Sequence, residues 1–398
     1  MALYDQPHQF TPLLPSEAKI GPLLERASEL VRSAGAASQM HVPVALRKLL
    51  RSMNSYYSNK IEGQHTRPAE IERALRRDFS ANSDLARRQR LAISHIEAEE
   101  QLEAEYLGAE GLEQLWRVDA LCSVHRELFG RLPPEDLADE NGNRFEPGAL
   151  RQRDVEVGMH VAPAHASVPA FIASWGQTYS HVRQGEMTVV AIAASHHRLA
   201  WIHPFPDGNG RVSRLHTHLA LHSLGYLGGI WSPLRGFART HEQYYQTLAH
   251  ADEPRMGDLD GRGNLSERAL MEWITYVLDV CIDQCRFMQE SLQMGTMLER
   301  IRTCLVVEEL RSTGVRQEAA YPLHYLLQTG GELDRGAFVG MMSGMGDRTA
   351  RAVLSSLINR GLLESDSPRG KVRFGVPHHA LRFYFPSLWP EAEAEAEA

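Results

Sequence analysis

Apolar residues recur at three- and four-residue spacing through most of the chain, and that period predicts a mainly helical protein. Segments 23–31 and 44–53 carry it, and Pro68 stands at a first-turn position for a further helix reaching residue 79. A long amphipathic stretch covers residues 84–107, and another covers 112–130, where Gly130 is a natural stop. A loop rich in Pro, Gly and Asn fills 132–150. In 153–163 the period drops to two, with Val155, Val157, Met159 and Val161 alternating with polar or small residues. That alternation predicts a short, half-buried strand or hairpin. Helical spacing resumes over 168–182, 187–202, 212–227, 241–251 and 270–288, and no fixed-period repeat is present.

After about residue 298 the pattern changes. Two short helices, 304–312 and 321–330, precede a helix-turn-helix over 333–363, and residues 364–376 read as a two-stranded wing. The expectation is a winged-helix domain over 298–390. The final segment, EAEAEAEA at 391–398, is too short to hold a helix alone and is expected to be solvated and disordered.

A length of 398 residues predicts two or three domains with ample core. The composition is that of a folded protein, and no run approaches the roughly 18 apolar residues of a membrane span. The start, MALYDQPHQF, has neither the basic nor the apolar region of a signal peptide, so a cytoplasmic location is expected. Four cysteines (Cys122, Cys281, Cys285, Cys304) are too few and scattered for a disulfide framework. The net charge of −8 disfavours bulk nucleic-acid binding, but the four glutamates of the tail supply half of it. The basic residues are nearly all arginine, which suits bidentate phosphate recognition.

The chemistry concentrates in HPFPDGNGRVSR, residues 203–214. Gly208 and Gly210 permit backbone shapes closed to other residues and let a ligand approach the main chain. The N–H groups at the start of the following helix form an anion site. Arg211 and Arg214 share one face of that helix, where positive charge is unfavourable unless an anion is bound. Together these features imply a polyphosphate. Asp207 adds a hard oxygen suited to magnesium, and His203 a group able to take a proton near neutral pH. Each residue alone reads more readily as ordinary turn, core or surface. The whole set, H-x-F-x-[DE]-G-N-G-R-x-x-R, arises by chance on the order of once in 10⁸ such chains.

This string resembles the signature of the Fic (Fido-fold) family at every fixed position. HRELFG at 125–130 is similar to the family's first core helix, and the 151–165 hairpin to its target-positioning flap. The resemblance implies a Fic α-helical bundle over about 113–290, with the flap residues Val155, Val157, Met159 and Val161. It implies transfer of AMP from ATP to a Ser, Thr or Tyr hydroxyl of a target protein or of the chain itself, with release of pyrophosphate. His203 would be the general base and Asp207 the ligand of Mg2+. The backbone at Gly208, Asn209 and Gly210 would bind phosphate, with Arg211 at the α/β region and Arg214 at the γ-phosphate. Tyr244 and Tyr245 would line the adenine pocket, although core packing suits them equally.

Upstream, Ser58 and Glu62 are four apart and share a helix face, and Gly63 is a helix stop. A negative charge in a last helical turn suggests a cationic partner elsewhere, although a solvated Glu62 with Lys60 nearby is the commoner reading of such a residue. The string S-x-x-x-E-G resembles the inhibitory motif of the Fic class whose inhibitory helix precedes the core, within an N-terminal helical region spanning 1–112. The resemblance implies that Glu62 pairs with Arg214 and blocks the γ-phosphate position. In some relatives that glutamate also serves removal of AMP, so the direction of net reaction is open.

His216, His218 and His222 invite a metal reading. No glutamate stands between His218 and His222, and packing is the preferred expectation. Cys281 and Cys285 are expected in the core. In the winged helix, seven basic residues between 347 and 382 face three acids, which admits DNA as a partner. Such modules also dock proteins or form homodimers.

Overall fold

The computed structural model describes residues 4–38, 43–139, 141–158, 160–183 and 185–395. The chain forms two compact units: residues 4–38, 54–66 and 70–285 make one, and 43–53, 67–69 and 286–395 the other.

The first unit is helical. Its elements are α1 (Gly21–Ser38), the second half of α2 (Val44–Ile61), α3 (Pro68–Leu75), α4 (Ser83–Glu105), α5 (Gly108–Leu115) and α6 (Val118–Phe129). A hairpin of β1 (Glu156–Val157) and β2 (His160–Val161) follows. Then come α7 (Val168–Ser180), α8 (Gly185–Ile202), α9 (Asn209–Ser223), α10 (Pro233–Arg239), α11 (His241–His250) and α12 (Glu267–Ser291). The centre is α8 beside α9. The first also packs on α1 and α7, and the second on α4, α5 and α6. Both are buried along nearly their whole length, as central helices enclosed by others are. Because α9 carries arginines and histidines inward, its polar groups must find partners. The His216 Nε2–H donates to the Leu115 carbonyl at 2.9 Å, and Thr217 meets His196 at 2.8 Å.

Three expectations need correction. The stretch 112–130 is two helices, α5 and α6, because Trp116 turns into the core against Trp175, with ring centroids 5.3 Å apart. Gly176 makes room for it: a Cβ there would lie 2.1 Å from the Trp116 carbonyl oxygen. The second of these helices, α6, ends at Gly130 as expected, with the glycine in right-handed geometry. The hairpin has only two residues per strand, reverses at Gly158 with φ +60°, and leaves Val157 43% exposed, while Val155 and Val161 are half-buried as expected. Met159 lies outside the described residues. The acidic end forms α18 (Pro390–Glu395), where Ala392 is buried; packing supplies what the short sequence lacks.

In the second unit, α13 (Met297–Leu310) packs on α14 (Ala320–Thr329) and α17 (His378–Tyr384). Between these lie α15 (Arg335–Gly340), α16 (Asp347–Asn359), β3 (Leu363–Glu364) and β4 (Arg373–Phe374), with a bridge from Leu333 to Val372. Among the described residues no helix is long and apolar enough to cross a membrane.

Candidate active site

The loop from α8 to α9 is built by its own residues. Asn209 points inward: its Oδ1 accepts from the Phe205 N–H and its Nδ2 donates to the Phe205 carbonyl, both at 2.8 Å. The side chain therefore braces the loop, leaving only its main chain to face a ligand. Gly208 precedes α9 at φ +79°, and a Cβ there would stand 2.4 Å from the Phe129 ring. Asp207 accepts from the Gly208 N–H at 2.6 Å and lies 3.3 Å from Arg211 Nη2. Its carbonyl meets His125 Nε2 at 3.1 Å, while the Gly148 N–H donates to His125 Nδ1 at 2.7 Å. These bonds place the ring proton on Nε2. His125 also stacks on Phe205 at 4.1 Å, so α6 holds the loop from below.

His203 closes α8 in the left-handed region, at φ +50°. Arg151 fixes that turn: its Nε donates to the His203 carbonyl at 2.7 Å and its Nη2 to the Pro163 carbonyl at 2.5 Å. One guanidinium thus ties the histidine to the base of the hairpin. His160 of β2 hydrogen-bonds the Trp201 carbonyl at 2.8 Å, which keeps the hairpin beside the same loop. Burial, with the nearby His160 and Arg151 adding to it, pulls the His203 pKa down to about 4. The imidazole is neutral at pH 7 and able to accept a proton.

The end of α2 reaches this loop. The Gly63 N–H donates to the Lys60 carbonyl and the Gln64 N–H to the Asn59 carbonyl, with Gly63 at φ +67°, a left-handed glycine stop. Glu62 consequently lies just past the last helical turn. Its Oε1 meets Arg214 Nη2 at 2.5 Å, and Ser58 accepts from the same guanidinium through Oγ and carbonyl, both at 3.1 Å. A Cβ on Gly210 would stand 2.4 Å from Glu62 Oε1. The carboxylate thus occupies the space left by the glycine, in the first turn of α9, where an anion is favoured. Burial alone would raise the Glu62 pKa, but Arg214 and Arg211 outweigh it and hold the group below the usual carboxylate range. Arg211 is 3% exposed, lies over the Phe129 ring at 4.8 Å and reaches Gln64 at 3.3 Å. Its Nε has no hydrogen-bond partner among the described residues.

His203, Asp207, Gly208, Asn209, Gly210, Arg211, Arg214, Ser58, Glu62 and Gly63 thus fall on one site. Tyr244 does not join its surface. It is 2% exposed, packs on Trp273 and Phe237, and its hydroxyl pairs with His196 at 3.0 Å. The adenine-pocket reading of Tyr244 is therefore corrected to core. Tyr245 is exposed and donates to the Ile61 carbonyl at 3.2 Å. Arg151, His125 and Gln64 were missed because each acts through a backbone or side chain distant in sequence. His125, inside HRELFG, and Arg151, at the start of the 151–165 hairpin, lay in segments the sequence had marked.

Residues 115–221 match the Fic/DOC family. Protein adenylyltransferase Fic of Drosophila mojavensis is 30% identical over 158 residues, covering 38% of this chain and 28% of that protein. The chain thus spans less than a third of the length of that curated relative. A Fic family protein from Desulfovibrio desulfuricans G20 superposes with a TM-score of 0.53 at 18% identity, over 94% of this chain and 99% of that one. Fic-1 (residues 134–508) from C. elegans gives 0.52 at 20% identity, over 70% and 76%. These two likenesses show a shared fold. With the loop and helix geometry above, the profile match identifies residues 115–221 as a Fic/DOC-type domain.

Proposed function

We propose that this protein transfers AMP from ATP to a hydroxyl side chain of a protein, and that Glu62 restrains the transfer. The observation that carries the proposal is the Glu62 carboxylate held on Arg214 over Gly210, an anion where a nucleotide phosphate belongs. His203, neutral at working pH, takes the proton of the attacking Ser, Thr or Tyr hydroxyl. The hydroxyl oxygen bonds to the α-phosphorus as the bond to the pyrophosphate oxygen breaks. Backbone N–H groups from Gly208 to Gly210, with Arg211 and Arg214, offset the charge that develops on the phosphate oxygens. Asp207 is a half-buried carboxylate at the loop, and its hard oxygens fit Mg2+. Bound there, the ion would offset negative charge on the phosphates. The two-residue strands of the hairpin, β1 exposed and β2 half-buried, suit pairing with an extended target segment. Glu62, held ionised at the same place, also suits positioning of water for removal of AMP from a modified protein.

Glu62→Gly incubated with labelled ATP and magnesium should raise auto-AMPylation well above the wild-type level, and His203→Ala should abolish it in both backgrounds. Equal labelling of wild type and Glu62→Gly would sink the restraint. Labelling that survives in the double variant would remove His203 as base.

We read residues 298–390 as a winged helix on the order of α15, α16 and the β3–β4 ribbon. Arg351, Arg360 and Arg373 are neutralised by Asp347, by Glu308, and by Asp366 with Glu332, which weakens the DNA reading of this segment.

A further inference from the structure

The helix that carries Arg214 holds a second cluster one turn further on. His218 Nε2 lies 2.9 Å from Glu103 Oε1 and 3.7 Å from Glu99 Oε1, and His222 Nδ1 lies 3.8 Å from Glu103 Oε1. Glu99 and Glu103 are one turn apart on α4, and His218 and His222 one turn apart on α9, so two helices present facing pairs of ligating side chains. Bundle metal sites are built this way. One donor atom from each of Glu99, Glu103 and His218 lies within 4.8 Å of the others. Metal–nitrogen and metal–oxygen bonds of roughly 2.0–2.2 Å place tetrahedral donors roughly 3.3 Å apart, and the two distances from His218 bracket that value.

An independent observation points to a ligand. His95 is 1% exposed, and neither ring nitrogen has a hydrogen-bond partner among the described residues. Its Nδ1 stands 3.8 Å from Glu99 Oε2, aimed into the cluster. A fully buried imidazole without a partner is costly, and here it takes the position of the group that orients a ligating carboxylate. Asn54 donates to Glu99 Oε1 at 2.7 Å from the other side. The lone histidine motif of the sequence pointed to packing because the carboxylates come from α4, more than a hundred residues earlier.

We propose that Glu99, Glu103 and His218 bind a divalent transition-metal ion of the zinc class, with His222 completing four-coordination. Nitrogen and carboxylate donors suit such an ion better than calcium or magnesium. The ion would clamp α4 to α9 behind Arg214, distinct from the Asp207 site.

The test uses the full chain stripped with chelator and titrated with Co2+ as probe, with Zn2+ in parallel. Expected are one equivalent of Co2+ with the visible absorption of a four-coordinate site, its displacement by Zn2+, and a metal-dependent rise in melting temperature. Glu103→Gln and His222→Ala, both at the less buried edge, should each weaken Co2+ affinity roughly 10–100-fold, whereas Asp207→Asn should leave it unchanged. No saturable uptake by the folded wild-type chain would overturn the proposal, as would uptake equally tight in both variants.

Discussion

At the scale of single residues, the site depends on what Gly208 and Gly210 lack. A side chain on Gly208 meets both a left-handed backbone and the Phe129 ring at 2.4 Å. Gly208→Ala should therefore cost about 1–3 kcal/mol, read as a lower melting temperature. His203 carries a second prediction. Its pKa is pulled down to about 4, and Glu62 is one of the groups that raise it, so Glu62→Gly lowers it further. Transfer by the Glu62→Gly variant should thus show no acid limb near the ordinary histidine value of 6.5, and should persist down to about pH 5. A pH–rate profile that halves near 6.5 would contradict the burial of the base.

Among the elements, α2 acts through its last turn. The glycine stop directs Glu62 onto Arg214, and Ser58 holds the guanidinium by two contacts of which the hydroxyl supplies one. Ser58→Ala keeps the backbone contact and removes the other. Basal auto-AMPylation should then rise about 5–10-fold, the equivalent of about 1–1.4 kcal/mol, to a level below that of Glu62→Gly. In the second unit, Glu308 on α13 takes a two-pronged contact from Arg360 at the end of α16, at 2.7 and 3.0 Å. Glu308 is 2% exposed, so Glu308→Gln should destabilise that unit by about 1.5–3 kcal/mol in denaturant unfolding.

Over the whole molecule, the interior holds several histidines that burial keeps neutral. His95 and His125 are pulled down to about 3 and His216 to about 4. The unfolded chain binds a proton at each near pH 6.5 while the folded chain does not, so stability is complete above 6.5 and falls as pH drops towards 4. Each such histidine costs up to about 1.4 kcal/mol per pH unit in that window. Thermal unfolding followed from pH 7 to 4 should show a steep loss; a flat profile would mean these rings are protonated in the fold. The order of helices, the change of period at the hairpin, the 203–214 loop and the Ser58–Glu62 turn were legible in the sequence. Each is set by short-range sterics and by the periodicity of one segment. Tertiary structure alone decided the break at Trp116, the core place of Tyr244 and the packed helix of the acidic end. It also brought Arg151 to the His203 carbonyl and the α4 carboxylates to His218. Those outcomes depend on groups far apart in the chain competing for the same buried space, which a local pattern does not record.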